Sequence, residues 1–125
     1  MSTRALLIVT AFLEVGTGIA LLSLPSLVGE ILLGEGFSSP QSMVVARVAG
    51  VAVLSLGVAC WLARNGDSVG QSWLVAGMLI YNLGVPILLL HGLLAWSLVG
   101  VGLWPAALLH TGLATWCAAC VRPKR

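Results

Sequence analysis

Residues 4–24 read RALLIVTAFLEVGTGIALLSL, an apolar run with one carboxylate, Glu14, near its middle. About 20 apolar residues are enough to cross the hydrocarbon core of a bilayer as a helix. The run is too long for the core of a signal peptide, so we expect it to be retained. Thr10 and Thr17 share a helical face with Glu14. A carboxylate at mid-membrane predicts a partner or a charge pathway beside it.

The whole chain has the composition of a membrane protein. Of its 125 residues, 59% are hydrophobic and 8% are charged, whereas soluble domains carry roughly 25% charged residues. Four apolar runs give the predicted spans, at residues 4–24, 41–63, 70–92 and 97–119. Too few residues remain for a soluble catalytic domain. We therefore expect a single all-α domain, residues 1–125, that forms an integral membrane antiparallel four-helix bundle.

The long connection between the first two spans has a helical pattern of its own. Leu27, Val28, Ile31 and Leu32 recur at helical spacing beside Glu30. This pattern predicts a short amphipathic helix on the membrane surface. Glycines at positions 34 and 36 would end it. The third connection, near residues 93–96, is expected to be very short.

Two polar boundaries mark where the second and third spans begin. Ser39-Pro40 is typical of an N-cap followed by proline at the first helical position. The tight polar turn at residues 65–67, NGD, precedes Ser68, which we expect to cap the third span.

The basic residues predict the orientation of the chain. They fall on one side of the predicted spans, and the connections on the other side have none; they are Arg4, Arg64, Arg122, Lys124 and Arg125. The positive-inside rule then puts both termini in the cytoplasm, as in a multi-pass protein of a bacterial inner membrane. Because these residues form no basic stripe, nucleic acid is not an expected partner.

Five polar side chains fall within the predicted spans: Glu14, Arg47, Tyr81, Asn82 and His110. All except Arg47 lie at nearly the same depth. Arg47 lies about five residues, or roughly 7 Å, outward of the centre of its span. One hypothesis is a structural Glu14–Arg47 ion pair, because an unpaired buried charge is strongly unfavourable. The alternative is a site for a proton, an ion or a small solute, because a carboxylate beside an imidazole in low dielectric suits proton handling.

Two resemblances bear on these residues. Residues 13–18, LEVGTG, are similar to the first helix of the small multidrug resistance transporters, short four-helix chains with a membrane-embedded glutamate in the first span. That resemblance implies that Glu14 is a proton and cation site. Residues 45–50, VARVAG, and residues 77–82, GMLIYN, resemble the small four-helix bacterial membrane proteins called DoxX-like. The second resemblance implies a layout and no activity.

Glycines predict where helices meet. Gly70, Gly77 and Gly84 repeat every seven residues and form one stripe on the third span. Gly50 and Gly57 share a face of the second span. Small residues let backbones approach closely in lipid, so these faces are expected to pack against other helices, in this chain or in a partner.

The cysteines and histidines provide weaker signals. Cys60, Cys117 and Cys120 lie at the cytoplasmic ends of their spans, and a CxxC can act as a redox pair. Packing is favoured, because the cytoplasm keeps thiols reduced. His91 and His110 differ in depth by roughly 18 Å, which is too far to hold one haem between them. We expect no metal site and no catalytic residue, and the sequence names no cofactor.

The function favoured by this pattern is that of a non-enzymatic membrane protein. It would be a small subunit of a larger membrane complex or a homo-oligomer that packs in the lipid bilayer through its glycine faces. Two alternatives stay open. One is a small proton-coupled transporter that uses Glu14 with His110, and the other is a membrane redox component that uses the CxxC or a bound quinone or haem.

Overall fold

A computed structural model describes residues 2–121, which form five α-helices and no strand. The helices are α1 (Thr3–Ser23), α2 (Pro25–Leu33), α3 (Pro40–Ala63), α4 (Ser68–Trp96) and α5 (Leu103–Val121). The predicted all-α class is therefore confirmed. By length and composition, α1, α3 and α4 are apolar enough to cross a membrane. The fourth predicted span overlaps α5, which is not among them, since histidine, threonine, proline and tryptophan dilute its apolar residues.

The helix ends follow local capping chemistry. The short helix expected between the first two spans is present as α2, and it ends at Gly34, whose φ of 81° suits a residue without a Cβ. The side chain of Ser39 accepts a hydrogen bond of 3.1 Å from the backbone N–H of Ser42, so the predicted cap of α3 is confirmed. The predicted cap of α4 was wrong by one residue, because Asp67 and not Ser68 accepts from the N–H of Gly70.

The connection between α4 and α5 differs from the prediction. α4 continues to Trp96, and the connection occupies residues 97–102. Ser97 closes α4 in a left-handed conformation, with φ of 55°. The N–H of Gly102 donates to the carbonyl of Ile31 over 2.8 Å, so the loop packs against α2. A Cβ at Gly100 would lie within 3 Å of the α2 backbone, so only glycine fits this contact, and α5 starts at Leu103.

The four long helices form two antiparallel pairs, α1 with α3 and α4 with α5. Glycines bring the first pair together. A Cβ built at Gly18 would lie 2.6 Å from the backbone nitrogen of Leu54, and one at Gly57 would lie 2.8 Å from that of Val15. Gly50 lies at the same contact. Gly18 was not predicted as a contact residue, although its position seven residues after the small residue Ala11 is a signal for it.

Side chains rather than backbones join the two pairs. One buried cluster draws on all four long helices; its members are Leu6, Leu7, Ala11, Cys60, Val75, Met78, Leu113 and Cys117. The backbones approach closely within each pair but sparsely between the pairs. The joint between the pairs therefore depends on this cluster and on the polar contacts described next.

Candidate functional site

Glu14 lies at the joint between the two helix pairs. Its side chain is 2% exposed, although it carries a carboxyl group. The hydroxyl of Tyr81 on α4 donates a hydrogen bond of 3.1 Å to Oε2 of Glu14. Because Glu14 belongs to the α1/α3 pair and Tyr81 to the α4/α5 pair, this bond links the pairs directly.

Asn82 and His110 form a second polar link, within the α4/α5 pair. The Nδ2 group of Asn82 donates to the carbonyl of Met78 over 2.8 Å, which fixes the orientation of the amide. Its Oδ1 lies 2.8 Å from Nδ1 of His110. Since Oδ1 can only accept, the proton of this bond is on Nδ1. The Nε2 atom of a neutral His110 is then an acceptor that Asn82 leaves free.

The two links meet through Tyr81. Its ring packs edge to face against the imidazole of His110, with 5.5 Å between centroids and 83° between planes. Four of the five polar residues singled out in the sequence are therefore neighbours: Glu14, Tyr81, Asn82 and His110. The connection from Glu14 to His110 runs through the Tyr81 ring and is not a continuous chain of hydrogen bonds.

Arg47 is separate from this group. Its side chain is exposed on α3, and the hypothesised Glu14–Arg47 ion pair is not formed among residues 2–121. Ala46, Gly50 and Gly57 mark the face of α3 that is buried. Arg47 follows Ala46 by one residue, or about 100° around the helix, so it points away from α1. It also lies at another level, because Gly57 faces Val15 and Gly50 faces Leu21. Arg47 is therefore about eleven residues, or roughly 16 Å, along α3 from the level of Glu14.

Thr10 adds an unsatisfied polar atom next to the site. It is 1% exposed, and within the described chain its Oγ1 has no hydrogen-bond partner. Thr10 precedes Glu14 by one helical turn and shares its face. A buried hydroxyl without a partner costs about 1–3 kcal/mol, so a water molecule or ligand group that bonded Thr10 would stabilise the site. Thr17, on the other side of Glu14, is exposed.

The three cysteines do come close together at one end of the bundle. Cys60 and Cys117 belong to the buried cluster, and Cys120 packs against it. All three are free thiols. Cys60 and Cys117 are fully buried, so the arrangement fits the predicted packing role, while redox activity stays a prediction.

The glycine stripe on α4 faces away from the rest of the chain. A Cβ built at Gly77 or Gly84 would meet no atom within 4 Å, and one at Gly70 would meet only the side chain of its own cap, Asp67. In contrast to Gly50 and Gly57, these glycines hold no helix contact inside the described chain. Their face is free for a second molecule.

The described residues contain no cluster suited to a metal ion. His91 is exposed near the end of α4, where its ring packs edge to face on Trp96 with 5.0 Å between centroids. It therefore lies apart from His110, as the difference in depth predicted.

Comparison with known proteins adds no relative from which residues could be transferred. No known protein family, curated protein or solved structure matches this chain.

Proposed function

We propose that the chain is a four-span membrane protein of a bacterial inner membrane, with both termini in the cytoplasm and α2 at the outer surface. Three helices with the length and composition of spans support this topology. Large apolar side chains on the outward faces support it too; among them Phe12 is 69%, Ile80 75% and Leu108 70% exposed. Arg4 and Arg64 lie at the same end of the bundle; Arg122, Lys124 and Arg125 lie outside the described residues.

Cysteine labelling in intact cells tests this topology. In a Cys120→Ala background, a cysteine at Ser38 should react with a membrane-impermeant maleimide, and a cysteine at Asn65 should react only after the cells are opened. Reaction of the Asn65 position in intact cells would reject the topology.

Within this topology, we propose that the chain is a small proton-coupled carrier in which Glu14 binds the proton. The observation that carries the proposal is a buried carboxyl that receives a hydroxyl hydrogen bond but no cation from the described residues. An ionised carboxylate removed from water is very unfavourable without a positive partner. A proton is the simplest such partner, and its binding is reversible.

The position of Glu14 supports coupling of proton binding to a movement of one helix pair relative to the other. Its bond to Tyr81 crosses the joint between the two helix pairs, where the buried cluster of side chains supplies most of the contact. Protonation changes Glu14 from an acceptor of hydrogen bonds into a group that also donates one. The unpartnered hydroxyl of Thr10 lies on the same face, so a small polar solute bound there would contact both groups.

A pH titration followed by ¹⁹F NMR tests the proposal with fluorotryptophan as the probe. Trp116 packs against the buried cluster that joins the pairs, whereas Trp104 is exposed on α5. The Trp116 signal should titrate in the wild type and stay constant in Glu14→Gln. The matched control is Glu30→Gln, a carboxyl on the exposed side of α2, which should titrate like the wild type. A Trp116 titration that persists in Glu14→Gln would reject the proposal.

A second candidate function is a structural homo-oligomer. The outward glycine face of α4, with Gly77 and Gly84 free of neighbours in the described chain, supports it. Such faces allow close helix contact between molecules in lipid. Cross-linking in membranes distinguishes the candidates, because a structural oligomer would keep its assembly and its Trp116 signal unchanged in Glu14→Gln.

A further inference from the structure

Arg47 is an exposed charge in an apolar surface. Its neighbours on α3 are exposed valines, with Val44 at 61%, Val48 at 63% and Val51 at 53%. No carboxylate of residues 2–121 forms an ion pair with it. Arg47 lies seven residues from Pro40, where α3 begins, which corresponds to roughly 10 Å along the helix axis. Gly50 faces Leu21 and Leu22, so Arg47 lies level with the end of α1 and the start of α2. In the proposed topology this places it at the outer edge of the hydrocarbon layer.

An arginine at that level is stabilised by an anion at the interface, and residues 2–121 place none beside it. A cation in hydrocarbon is costly, and the usual solution is for the side chain to extend to the interface. Helical side chains lean toward the helix N-terminus. For α3 that direction leads toward Ser39 and Pro40, the end expected at the outer interface. The guanidinium is therefore directed to the level of the lipid headgroups.

A groove occupies the same part of α3. It has a volume of about 410 Å³ and is lined by Pro40, Gln41, Val44 and Val45. Val44 and Pro40 precede Arg47 by three and seven residues, so they share its face of the helix. The groove thus lies between the start of α3 and Arg47, which does not line it; its walls are apolar apart from the one amide of Gln41.

The charged and apolar residues around the groove indicate which kind of ligand it binds. A guanidinium forms bidentate hydrogen bonds with a phosphate, and valines offer only apolar contact. We propose that the groove at the start of α3 binds an anionic phospholipid, with its phosphate on Arg47 and an acyl chain along Val44 and Val48. This proposal rests on the four-span topology proposed above and is independent of the proton site at Glu14.

Lipid binding to the purified, delipidated protein tests the proposal. Native mass spectrometry with phosphatidylglycerol and phosphatidylcholine should show a preference of about tenfold for the anionic lipid, as expected for one charge-assisted pair. Arg47→Gln should abolish the preference. Arg64→Gln is the matched control and should keep it, because the Arg64 guanidinium is already 3.7 Å from the Trp61 ring centroid and bonded to the Trp61 carbonyl.

Two further arms test the groove itself. Val44→Trp leaves the charge but fills the groove, so it should lower lipid occupancy several-fold, and inorganic phosphate should not compete with the lipid. An unchanged preference in Arg47→Gln would overturn the proposal. A lipid-free dimer that Arg47→Gln converts to a monomer would also overturn it, since a second copy would then cover this surface. Glu14→Gln should leave the lipid preference unaltered, so a failed proton site does not affect the outcome.

Discussion

The hydroxyl of Tyr81 donates to Oε2 of Glu14 over 3.1 Å, and this bond connects two helix pairs whose backbones otherwise approach each other sparsely. The acceptor is buried in α1 and the donor lies in the middle of α4. A polar contact of this kind affects stability, since the loss of either partner leaves the other buried and unsatisfied.

Tyr81→Phe is expected to destabilise the protein by about 1–3 kcal/mol, because it leaves the buried Glu14 carboxyl without its donor. Unfolding in a titration with sodium dodecyl sulfate measures the loss, and the infrared band of the Glu14 carboxyl group should shift as the bond disappears. Ser55→Ala is the control, since Ser55 is exposed and bonds only the Val51 carbonyl of its own helix. Equal stability of Tyr81→Phe and wild type would contradict the contact.

Glu14 and Arg47 should behave as independent residues. The stability changes of Glu14→Gln and Arg47→Gln are expected to add within about 0.5 kcal/mol in the double variant, as for sites without shared partners. Glu14→Gln and Tyr81→Phe should instead deviate from additivity, because they share one hydrogen bond. A double-mutant cycle measured in the same detergent tests both statements. Strong coupling between Glu14 and Arg47 would restore the ion-pair hypothesis.

The glycines of α3 and α4 should respond in opposite ways to alanine. A Cβ at Gly57 would lie 2.8 Å from the backbone nitrogen of Val15, so Gly57→Ala should separate α1 from α3 and cost about 1–3 kcal/mol. A Cβ at Gly77 meets open space, so Gly77→Ala should gain up to about 1 kcal/mol from helix propensity. Thermal unfolding of both variants measures the difference.

The control for Gly57→Ala and Gly77→Ala is a measurement of the oligomeric state of each variant. If Gly77 packs against a second copy in the membrane, Gly77→Ala will weaken cross-linking between copies while the isolated monomer stays stable. A loss of monomer stability in Gly77→Ala would contradict the open face found for α4.

Sequence periodicity and depth could predict the helices and the shared level of most of the polar residues, but neither the level nor the direction of Arg47. Counting along the spans brought Glu14, Tyr81 and His110 to a similar level, and the structure makes them neighbours. The same counting put Arg47 within reach of Glu14, although Arg47 faces outward and lies roughly 16 Å from the level of Glu14 along α3. Direction around α3 is set by the small residues that contact α1, and Ala46 and Gly50 already indicate that face.

The boundary of α5 was not predictable from apolar content alone. The loop at residues 97–102 is apolar enough to continue a span, yet it packs against α2 through Gly100 and Gly102. That contact joins segments far apart in the chain, and only the folded structure reveals it. Local capping signals, such as Ser39 and Gly34, predicted their helix ends correctly because their chemistry acts within a few residues.

Asn82→Leu should destabilise the α4/α5 pair and remove the preference of His110 for a proton on Nδ1. Asn82 is fully buried, and it bonds both the Met78 carbonyl and Nδ1 of His110 at 2.8 Å. Leucine has the same number of side-chain heavy atoms but no polar atoms, so the part-buried Nδ1–H of His110 loses its acceptor at a cost of about 1–3 kcal/mol. ¹⁵N NMR of labelled histidine measures the tautomer: the wild type should carry its proton on Nδ1, and the variant should show a mixture.

His91 provides the internal control, because it lies apart from Asn82 and packs on Trp96. A wild-type His110 with its proton on Nε2 would contradict the acceptor role of Asn82, and with it the described arrangement of Tyr81, Asn82 and His110.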